Sequence, residues 1–323
     1  MTKVLIVTNQ SDITSDFIIR CLKEKKIDHY RFNTENLTKS VSVTLDFNSD
    51  SFILFDDILK TKFDLLSFTA VYYRRPEIPL VQLEQLTRSE SKFVQNELAY
   101  VLEGIYKLLS KAFWINPVYA IREAENKIYQ LRLAKEIGFH VPKSIISNIY
   151  SDAKKFFNEQ NSSCIIKPIK SGLVEDGEEK STVIFTSKIV DFPTEKSRIS
   201  SCPTYFQHHI KKKGDVRVIA VGNKLFATLI HSQEDETTQT DWRAGSVKLK
   251  HTKLSLPTDV ASKCINLLNV LGLSYGALDF VLTENDKFVF LEVNPNGQWA
   301  WIEQRTGYNI SRELVTLLKN GNT

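Results

Sequence analysis

Apolar and polar positions alternate in short blocks over the first third of the chain. Residues 3–7 form an apolar run typical of a buried parallel strand, and residues 41–47 alternate as in a half-buried strand. The spacing of apolar residues predicts a long helix from about residue 87 to residue 110. Further elements are predicted as a helix over 12–22 and strands over 29–32 and 70–73. This alternation is typical of an open α/β domain, which we expect to extend to about residue 116.

From residue 117 onward the pattern predicts more strands than helices. A helix is predicted from Arg122 to Ile137, ended by Gly138 as its C-terminal cap. Two more helices are expected over 260–271 and 311–319. The predicted strands cover 141–146, 164–168, 182–186, 215–221 and 224–231. We therefore expect an N-terminal domain of residues 1–116, a central part of residues 117–205 and a C-terminal part of residues 206–323.

The stretch with the clearest chemistry is a predicted hairpin near the end of the chain. Its strands interrupt apolar runs with Asp279, Glu292 and Asn294. A four-residue loop over 284–287 predicts the pairs Thr283–Phe288, Val281–Phe290, Asp279–Glu292 and Ala277–Asn294. Facing carboxylates are destabilising unless a cation lies between them, and oxygen ligands of this kind suit Mg²⁺ with substrate phosphates. A surface hairpin with solvated acids is the alternative, but acids inside apolar strands favour a metal site.

Composition narrows the class of protein. The chain has 323 residues, of which 42% are hydrophobic, so it can form two or three globular domains. A net charge of +4 is small for this length and argues against a dedicated nucleic-acid binder. The four cysteines are scattered, so we expect neither a disulfide framework nor a zinc site, and a cytoplasmic location is the default. The N-terminus is typical of a strand rather than a signal peptide, and no stretch approaches the roughly 20 apolar residues of a membrane span.

Several cationic side chains lie in apolar surroundings. Lys127 belongs to a predicted helix and Lys167 to a predicted strand, where an ammonium is costly unless it reaches water or an anion. Each could instead extend along the surface to solvent. Asp215 and Arg217 share one strand face, and Arg217 and Arg243 could bind phosphate oxygens in a bidentate manner. A solvated ion pair between Asp215 and Arg217 is the alternative.

Two other stretches carry weaker signals. The loop over 170–180 contains glycines and acids but matches neither a P-loop nor a dinucleotide fingerprint. It could be a flap over a nucleotide or a solvated turn. His208 and His209 are adjacent, so their side chains point different ways on a strand, and no third metal ligand is evident. Lys211 to Lys213 is typical of a solvated loop.

Taken in order, these pieces resemble the ATP-grasp fold. More narrowly, they are similar to the microviridin-type graspetide synthetases, which form side-chain ester or amide crosslinks in ribosomal peptides. The C-terminal motif is the most specific part of the resemblance, which covers the whole chain. The matching segments are Tyr73-Arg74-Arg75-Pro76, Glu125-Asn126-Lys127, Gln130-Leu131, Ile166-Lys167-Pro168, Phe206-Gln207, Asp215-Val216-Arg217, Ser232-Gln233, Asp241-Trp242-Arg243, Asp279-Phe280 and Glu292-Val293-Asn294-Pro295-Asn296-Gly297-Gln298-Trp299.

The resemblance implies an α/β (α+β) chain with the ATP-grasp fold and an N-terminal open α/β pre-ATP-grasp domain. It implies ATP and Mg²⁺ as cofactors. The implied ATP-binding residues are Lys127 and Lys167 at the phosphates and the backbone of Gln207, His208, His209 and Ile210 at the adenine. The implied Mg²⁺ ligands are Asp279, Glu292 and Asn294, and the implied catalytic set is Arg217, Arg243 and Asp215. His208 stands where the family usually has a glutamate that binds the ribose, so ribose recognition is expected to differ.

The implied reaction is phosphorylation of a side-chain carboxylate of a precursor peptide, leader plus core, followed by attack of a hydroxyl or amine. Two alternatives remain: a ligase that adds an amino acid to a small acid or protein tail, and a nucleotide-binding regulator without turnover. The intact site residues count against the regulator. The resemblance also suggests a homodimer, and neither a membrane nor a nucleic-acid partner is expected. The surface near Arg74 and Arg75 is a candidate peptide-binding region, although these arginines could equally cap a strand end.

Overall fold

The structure is a computed structural model that describes residues 2–79, 86–170, 172–176, 180–245 and 248–321. The chain forms two compact units. The first comprises Met1–Ile121, Gly272–Tyr275 and Asn296–Thr323, and the second comprises Arg122–Leu271 and Gly276–Pro295. Within the described ranges, no helix combines the length and the apolar character that a membrane crossing requires.

The strands are β1 (Lys3–Thr8), β2 (Asp28–Asn33), β3 (Val41–Asp46), β4 (Ser51–Asp56), β5 (Thr61–Asp64), β6 (Ala70–Tyr73), β7 (Phe113–Ile115), β8 (Ser144–Ser147), β9 (Cys164–Lys167), β10 (Leu173–Asp176), β11 (Lys180–Val183), β12 (Ser187–Ile189), β13 (Thr204–His208), β14 (Lys212–Val221), β15 (Lys224–Ile230), β16 (His251–Leu254), β17 (Tyr275–Thr283) and β18 (Phe288–Asn294). The helices are α1 (Ile13–Glu24), α2 (Arg88–Leu108), α3 (Val118–Ala124), α4 (Lys127–Ile137), α5 (Tyr150–Glu159), α6 (Ser197–Ser200), α7 (Thr258–Val270), α8 (Ala300–Thr306) and α9 (Ile310–Asn320).

A parallel sheet of order β2-β1-β6-β7 forms the centre of the first unit. The buried parallel strand predicted over residues 3–7 is confirmed, because β1 is almost entirely buried and pairs in parallel with β2 and β6. An antiparallel meander of β3, β4 and β5 contributes Phe52 and Leu54 to the same core. The predicted long helix is also confirmed as α2, which begins after Thr87 with a capping box to Glu90.

Arg74 is part of the interior of the first unit. It is 1% exposed, its Nε lies 3.3 Å from Asp12 Oδ1, and its Nη1 donates to the carbonyl oxygens of Asn296 and Gly297. A buried guanidinium needs such partners because an uncompensated charge is costly. Arg74 therefore closes the end of β6 and is not part of a peptide-binding surface. Arg75 is exposed.

Two antiparallel sheets form most of the second unit. Their strand orders are β12-β9-β13-β8 and β16-β15-β14-β17-β18, and β10 pairs with β11 in a separate hairpin. The predicted strand over 182–186 is confirmed only at residues 182–183, because β11 ends at Val183 and β12 begins at Ser187. The predicted strand over 141–146 instead occupies Ser144–Ser147, after Pro142, which has no N–H for a ladder bond. The three-part division at residues 116 and 205 stays a prediction.

The predicted helix from Arg122 to Ile137 is wrong at its start. The helix is interrupted between α3 and α4. The Asn126 side chain accepts hydrogen bonds from the N–H groups of Ile128 and Tyr129. Asparagine is a strong N-cap, so a new helix begins at Lys127. The predicted C-terminal cap is confirmed, because Gly138 has φ +92° and ends α4.

The β17–β18 hairpin has the predicted register only at its functional end. Asp279 lies opposite Glu292, and Ala277 lies opposite Asn294. Beyond an irregularity after Asp279 the register shifts by one residue, so Leu282, not Thr283, pairs with Phe288. The turn is one residue tighter than predicted, because Thr283 N–H bonds to Lys287 O and Asp286 takes φ +58°. A bulge then restores the pairing of the two acids.

Candidate functional site

A cavity of about 320 Å³ lies within the second unit. Its walls come from α4, β9, β13, β14, β17, β18 and the segment 240–243. The predicted site residues that line it are Lys127, Lys167, Gln207, His208, His209, Ile210, Asp215, Arg243, Asp279, Glu292 and Asn294. Arg217 joins them through Asp279, because its Nε lies 2.7 Å from Asp279 Oδ1. The fold therefore brings all of the predicted site residues to one place.

The facing carboxylates are the centre of the cavity. Asn294 Nδ2 donates to Asp279 Oδ2 and to Glu292 Oε1, each at 3.3 Å. Lys127 Nζ lies 3.2 Å from Glu292 Oε2. Burial raises the pKa of Asp279, and the charge of Glu292 adds to that increase, whereas Arg217 opposes it. Burial also acts to raise the pKa of Glu292, but Lys127 and other cations outweigh it and lower this pKa below its usual range.

This donor set fits Mg²⁺ only together with an anion. Asp279, Glu292 and Asn294 supply oxygen donors, which a hard cation prefers. Both carboxylates already face protein cations, so a divalent ion here needs additional negative charge. The cavity lining includes five cationic side chains and four carboxylates, so its protein groups do not supply that charge. Phosphate oxygens would supply it. Among the residues described, no group of three or more His, Cys, Asp and Glu side chains could hold a metal.

Lys167 is a cation of this cavity that makes no direct ion pair with a described residue. Within the described ranges, no hydrogen bond or ion pair reaches its ammonium. The side chain is half-buried on β9, between Ile166 and Pro168. Burial lowers the pKa of Lys167, Glu292 opposes this, and Lys127 adds to it. An ammonium in this position favours a bound anion over solvent, which argues against the surface interpretation of Lys167.

Lys127 occupies the first residue of α4, not the helix interior as the sequence suggested. Its ammonium also donates to Pro168 O at 3.2 Å. Three residues later, Gln130 fixes the helix against β18: its side chain donates to Val293 O at 2.8 Å and accepts from Val293 N at 3.0 Å. The same amide donates to Ala124 O. Because Val293 lies between Glu292 and Asn294, this contact fixes Lys127 relative to both.

The Asp215–Arg217 strand face is buried, so the solvated ion pair is wrong. Arg217 pairs with Asp279, and Asp215 accepts from Lys212 Nζ at 2.8 and 2.7 Å. The interpretation of Lys212 as part of a solvated loop is wrong for the same reason. Sequence spacing gave no sign of this pair, because residues three apart on a regular strand point to opposite faces.

Two further residues, Ser232 and Trp242, belong to segments that match the family, but sequence reasoning gave them no role. Ser232 Oγ donates to Asp215 Oδ2 at 2.5 Å, and the Trp242 ring lies 5.7 Å from the guanidinium carbon of Arg217. The strands predicted over 215–221 and 224–231 pair with Asp215 opposite Ile230, so Ser232 could have been placed near Asp215. No spacing rule points to Trp242.

The segment from Gln207 to Ile210 lies at the end of β13. The Gln207 side chain is buried and donates to Tyr205 OH at 2.9 Å, and His209 N–H bonds to Ser163 O at 2.9 Å. Burial lowers the pKa of His209 to about 4, with nearby Lys188 and Lys212 adding to the decrease. All four residues of this segment line the cavity.

The tail from Asn296 to Trp299 belongs to the first unit and does not line the cavity. Gly297 O accepts from Arg74 and from Tyr275 OH, the latter at 2.6 Å. Trp299 is fully buried and donates to Tyr72 OH at 3.1 Å. The last residues of the most specific sequence motif therefore pack in the core of the first unit.

Comparison with protein-family models decides the family. Residues 124–318 match the RimK-like ATP-grasp domain. The chain belongs to the RimK-like ATP-grasp family. In this ATP-grasp protein, residues 3–122 also match the MvdD pre-ATP grasp domain. The predicted fold and its N-terminal pre-ATP-grasp domain are thereby confirmed.

Solved structures of ATP-grasp proteins resemble the whole chain. A Chryseobacterium gregarium RiPP-associated ATP-grasp ligase, in complex with ADP and a leader and core peptide, is 26% identical with a TM-score of 0.89; 99% of this chain and 97% of that one are covered. The macrocyclase MdnB from Microcystis aeruginosa MRC is 25% identical with a TM-score of 0.82, over 99% and 100% of the two chains.

A curated relative matches over a shorter region. Human N-acetylaspartylglutamate synthase A is 25% identical over 127 residues, which is 38% of this chain and 32% of that protein. The ATP-grasp protein thus spans about a third of the length of the curated relative that it matches.

Proposed function

We propose that this ATP-grasp protein is an ADP-forming ligase that activates side-chain carboxylates of a ribosomal precursor peptide and joins them to hydroxyl or amine groups of the same peptide. The observation that carries the proposal is the Lys167 ammonium, which makes no direct ion pair with a described residue and lines the same cavity as the facing carboxylates Asp279 and Glu292. A polyphosphate with a divalent cation satisfies both features at once. The peptide as substrate is supported by likeness to ligases solved with leader and core peptides.

ATP is the proposed phosphoryl donor. Lys127 and Lys167 bind its phosphates, since both ammonium groups lie in the lining and neither is a solvated surface cation. The backbone from Gln207 to Ile210, at the end of β13, lines the adenine. β13 pairs with β9, which carries Lys167. This arrangement needs no glycine-rich phosphate loop, which agrees with its absence from the sequence.

Mg²⁺ is the proposed metal, and Asp279, Glu292 and Asn294 would hold it. When bound, it neutralises phosphate charge and aligns the phosphate oxygens. The protein contributes the orientation of these ligands through the hairpin register, which sets Asp279 opposite Glu292. Arg217 and Lys127 each hold one of the two carboxylates in place.

The proposed chemistry proceeds in two displacements. A carboxylate oxygen of the peptide attacks the γ-phosphorus, the bond to the bridging oxygen breaks, and ADP leaves. A hydroxyl or amine of the peptide then attacks the acyl carbon, phosphate leaves with the bonding electrons, and the nucleophile loses its proton. Arg217 and Arg243 stabilise the negative charge that develops in both steps. Asp215, held by Lys212, is the third member of the proposed catalytic set.

One observation favours a second candidate. The likeness to N-acetylaspartylglutamate synthase A is to a protein named for making a small conjugate rather than a crosslinked peptide. A ligase that adds an amino acid to an acid would use the same ATP chemistry in this cavity. The first candidate takes both the carboxylate and the attacking hydroxyl or amine from one peptide, whereas the second takes its amine from a free amino acid.

The deciding experiment uses mass spectrometry. The protein is incubated with ATP, Mg²⁺ and a candidate precursor, a short peptide rich in Thr, Ser or Lys and in Asp or Glu encoded beside it. We expect ADP and a loss of one water from the peptide per crosslink. A gain of an amino-acid residue mass would establish the second candidate, and an unchanged peptide without ADP release contradicts both. A homodimer stays a prediction from the resemblance.

A further inference from the structure

A fully buried hydroxyl lies behind the catalytic set without lining the cavity. Ser232 has no exposed surface, and its Oγ donates to Asp215 Oδ2 at 2.5 Å. The same carboxylate binds Lys212 Nζ with both oxygens, and these two side chains are only 5% and 8% exposed. Charge-assisted bonds in a buried network hold their partners in one geometry. The position of Ser232 is therefore fixed relative to β14.

Ser232 is also the first residue of a loop that returns on itself, residues 232–245, here termed the arginine loop. The Ser232 carbonyl accepts from Thr238 Oγ1 at 2.8 Å, and Gln233 Nε2 donates to Gln239 O at 3.2 Å. At the far end, Gly245 packs so closely on Thr238 that a β-carbon would have no room. The loop is therefore anchored at its first residue and closed by its own polar contacts.

The arginine loop carries a side chain to the metal ligands. Arg243 donates from Nε to Asp241 Oδ1 at 3.0 Å and from Nη2 to Asp241 Oδ2 at 3.2 Å. Its Nη1 lies 3.8 Å from Glu292 Oε1. The bidentate pair with Asp241 fixes Arg243 to the loop, so the position of Arg243 follows that of the loop.

We propose that Ser232 is a positioning residue that sets the place of Arg243 by bonding the base of the arginine loop to Asp215. Ser232 acts at a distance, through Thr238 and the loop backbone, and contacts no substrate. The catalytic consequence rests on the proposed function, in which Arg243 stabilises the transferring phosphoryl group. The mechanical consequence, an ordered arginine loop, is independent of the proposed function.

The mechanical consequence is tested by hydrogen–deuterium exchange on the nucleotide-free protein. Ser232→Ala and Thr238→Val each remove one anchoring hydroxyl, and we expect amide exchange over residues 233–245 to rise about tenfold with β14 and β17 unchanged. Thr228→Val is the matched control: it removes a fully buried hydroxyl of β15 that has no partner among the described residues, and exchange should not change. Unchanged loop exchange, or an increase spread over the whole second unit, would overturn the proposal.

The catalytic consequence is tested by kinetics on the same variants. We expect Ser232→Ala to lower kcat for peptide crosslinking about tenfold and to leave KM for ATP within twofold, because the Lys127 and Lys167 elements are untouched. In an Arg243→Lys background, Ser232→Ala should cause no further loss; losses that multiply would show that Ser232 acts by another route. If the wild-type protein joins no peptide groups, the proposed function fails, while the exchange result still decides the role of Ser232.

Discussion

At the residue scale, the two facing acids of the cavity, Asp279 and Glu292, have different electrostatic surroundings. Asp279 pairs directly with Arg217 and also lies near Arg243, whereas Glu292 lies among Lys127, Lys167 and Arg243. Glu292 therefore loses its proton more readily than Asp279, whose pKa is raised mainly by burial. A bound cation with its phosphates would offset the burial cost of Asp279 and give the Lys167 ammonium a direct anionic partner.

Lys167 should matter for nucleotide affinity more than for folding. Replacing it by Met removes one charge-assisted contact to phosphate, so we expect ATP to bind about 10- to 100-fold more weakly. Lys167→Arg keeps the charge and should retain most of the affinity. Isothermal titration of ATP and Mg²⁺ measures both. Equal binding by the Met variant and the wild type would place the nucleotide elsewhere.

Glu292 should be required for turnover. Glu292→Gln keeps the shape but removes a negative metal ligand, so we expect ATP-dependent product to fall below detection while the thermal unfolding temperature stays near that of the wild type. Glu284→Gln, in the exposed turn of the same hairpin, is the control and should keep full activity. Retained activity in the Glu292 variant would mean that the metal site is misplaced.

Sequence reasoning succeeded for residues whose type conflicts with their local pattern. Asp279, Glu292 and Lys167 interrupt apolar strands, and the fold places all three in the lining of one cavity, although only the resemblance had joined Lys167 to the two acids. It failed for Lys212 and Ser232, which sit in polar segments where such residues are ordinary. Their burial arises only when β14 and β15 pair and the chain folds back over them. That information is tertiary, so local pattern could not supply it.

At the element scale, α4 and β18 behave as one piece because the Gln130 amide replaces a neighbouring strand. It both donates to and accepts from Val293, as a strand residue would. Sequence reasoning predicted the C-terminal end of α4 from Gly138 but missed its start, since Asn126 is a cap only when the chain actually breaks there. The hairpin turn was missed by one residue because asparagine and aspartate tolerate the left-handed conformation seen at Asp286.

Gln130 should contribute measurably to stability. Gln130→Met keeps the length of the side chain but leaves two buried backbone groups of Val293 without partners, which costs about 1 to 3 kcal/mol each at most. We expect a lower urea midpoint with an unchanged slope. Arg132→Met, on the exposed side of the same helix, is the control and should shift the midpoint little. Coincident unfolding curves for the Gln130 variant and the wild type would contradict this role.

At the scale of the whole molecule, the chain crosses between its units more often than the sequence suggests. Residues 272–275 and the C-terminal segment from Asn296 belong with the N-terminal residues. Within the first unit, Asn116 bonds to both the N–H and the carbonyl of Tyr275. Such returns depend on contacts distant in sequence, so periodicity could predict the fold class but not which segments share a core.

Acid should destabilise the folded protein partly through His209. Its pKa falls from 6.5 to about 4 on folding, so between these values the unfolded chain binds more protons, and stability declines as the pH is lowered through this window. We expect His209→Gln to flatten the decline in Tm between about pH 6.5 and pH 4. His251→Gln, a half-buried histidine outside the cavity, serves as the control. Identical pH profiles for the His209 variant and the wild type would contradict the assignment.

The hydrogen bonds between Gln130 and Val293 also protect the protein against aggregation at high concentration. β18 is the last strand of its sheet, and an open edge invites another chain to add a strand and begin an aggregate. Here the outer side of β18 is occupied by the Gln130 amide at Val293 and by the His140 carbonyl, which accepts from Phe290 N–H at 2.8 Å. The contacts that align the site therefore also prevent other extended peptides from pairing with this edge, including the acid-containing peptides proposed as substrates.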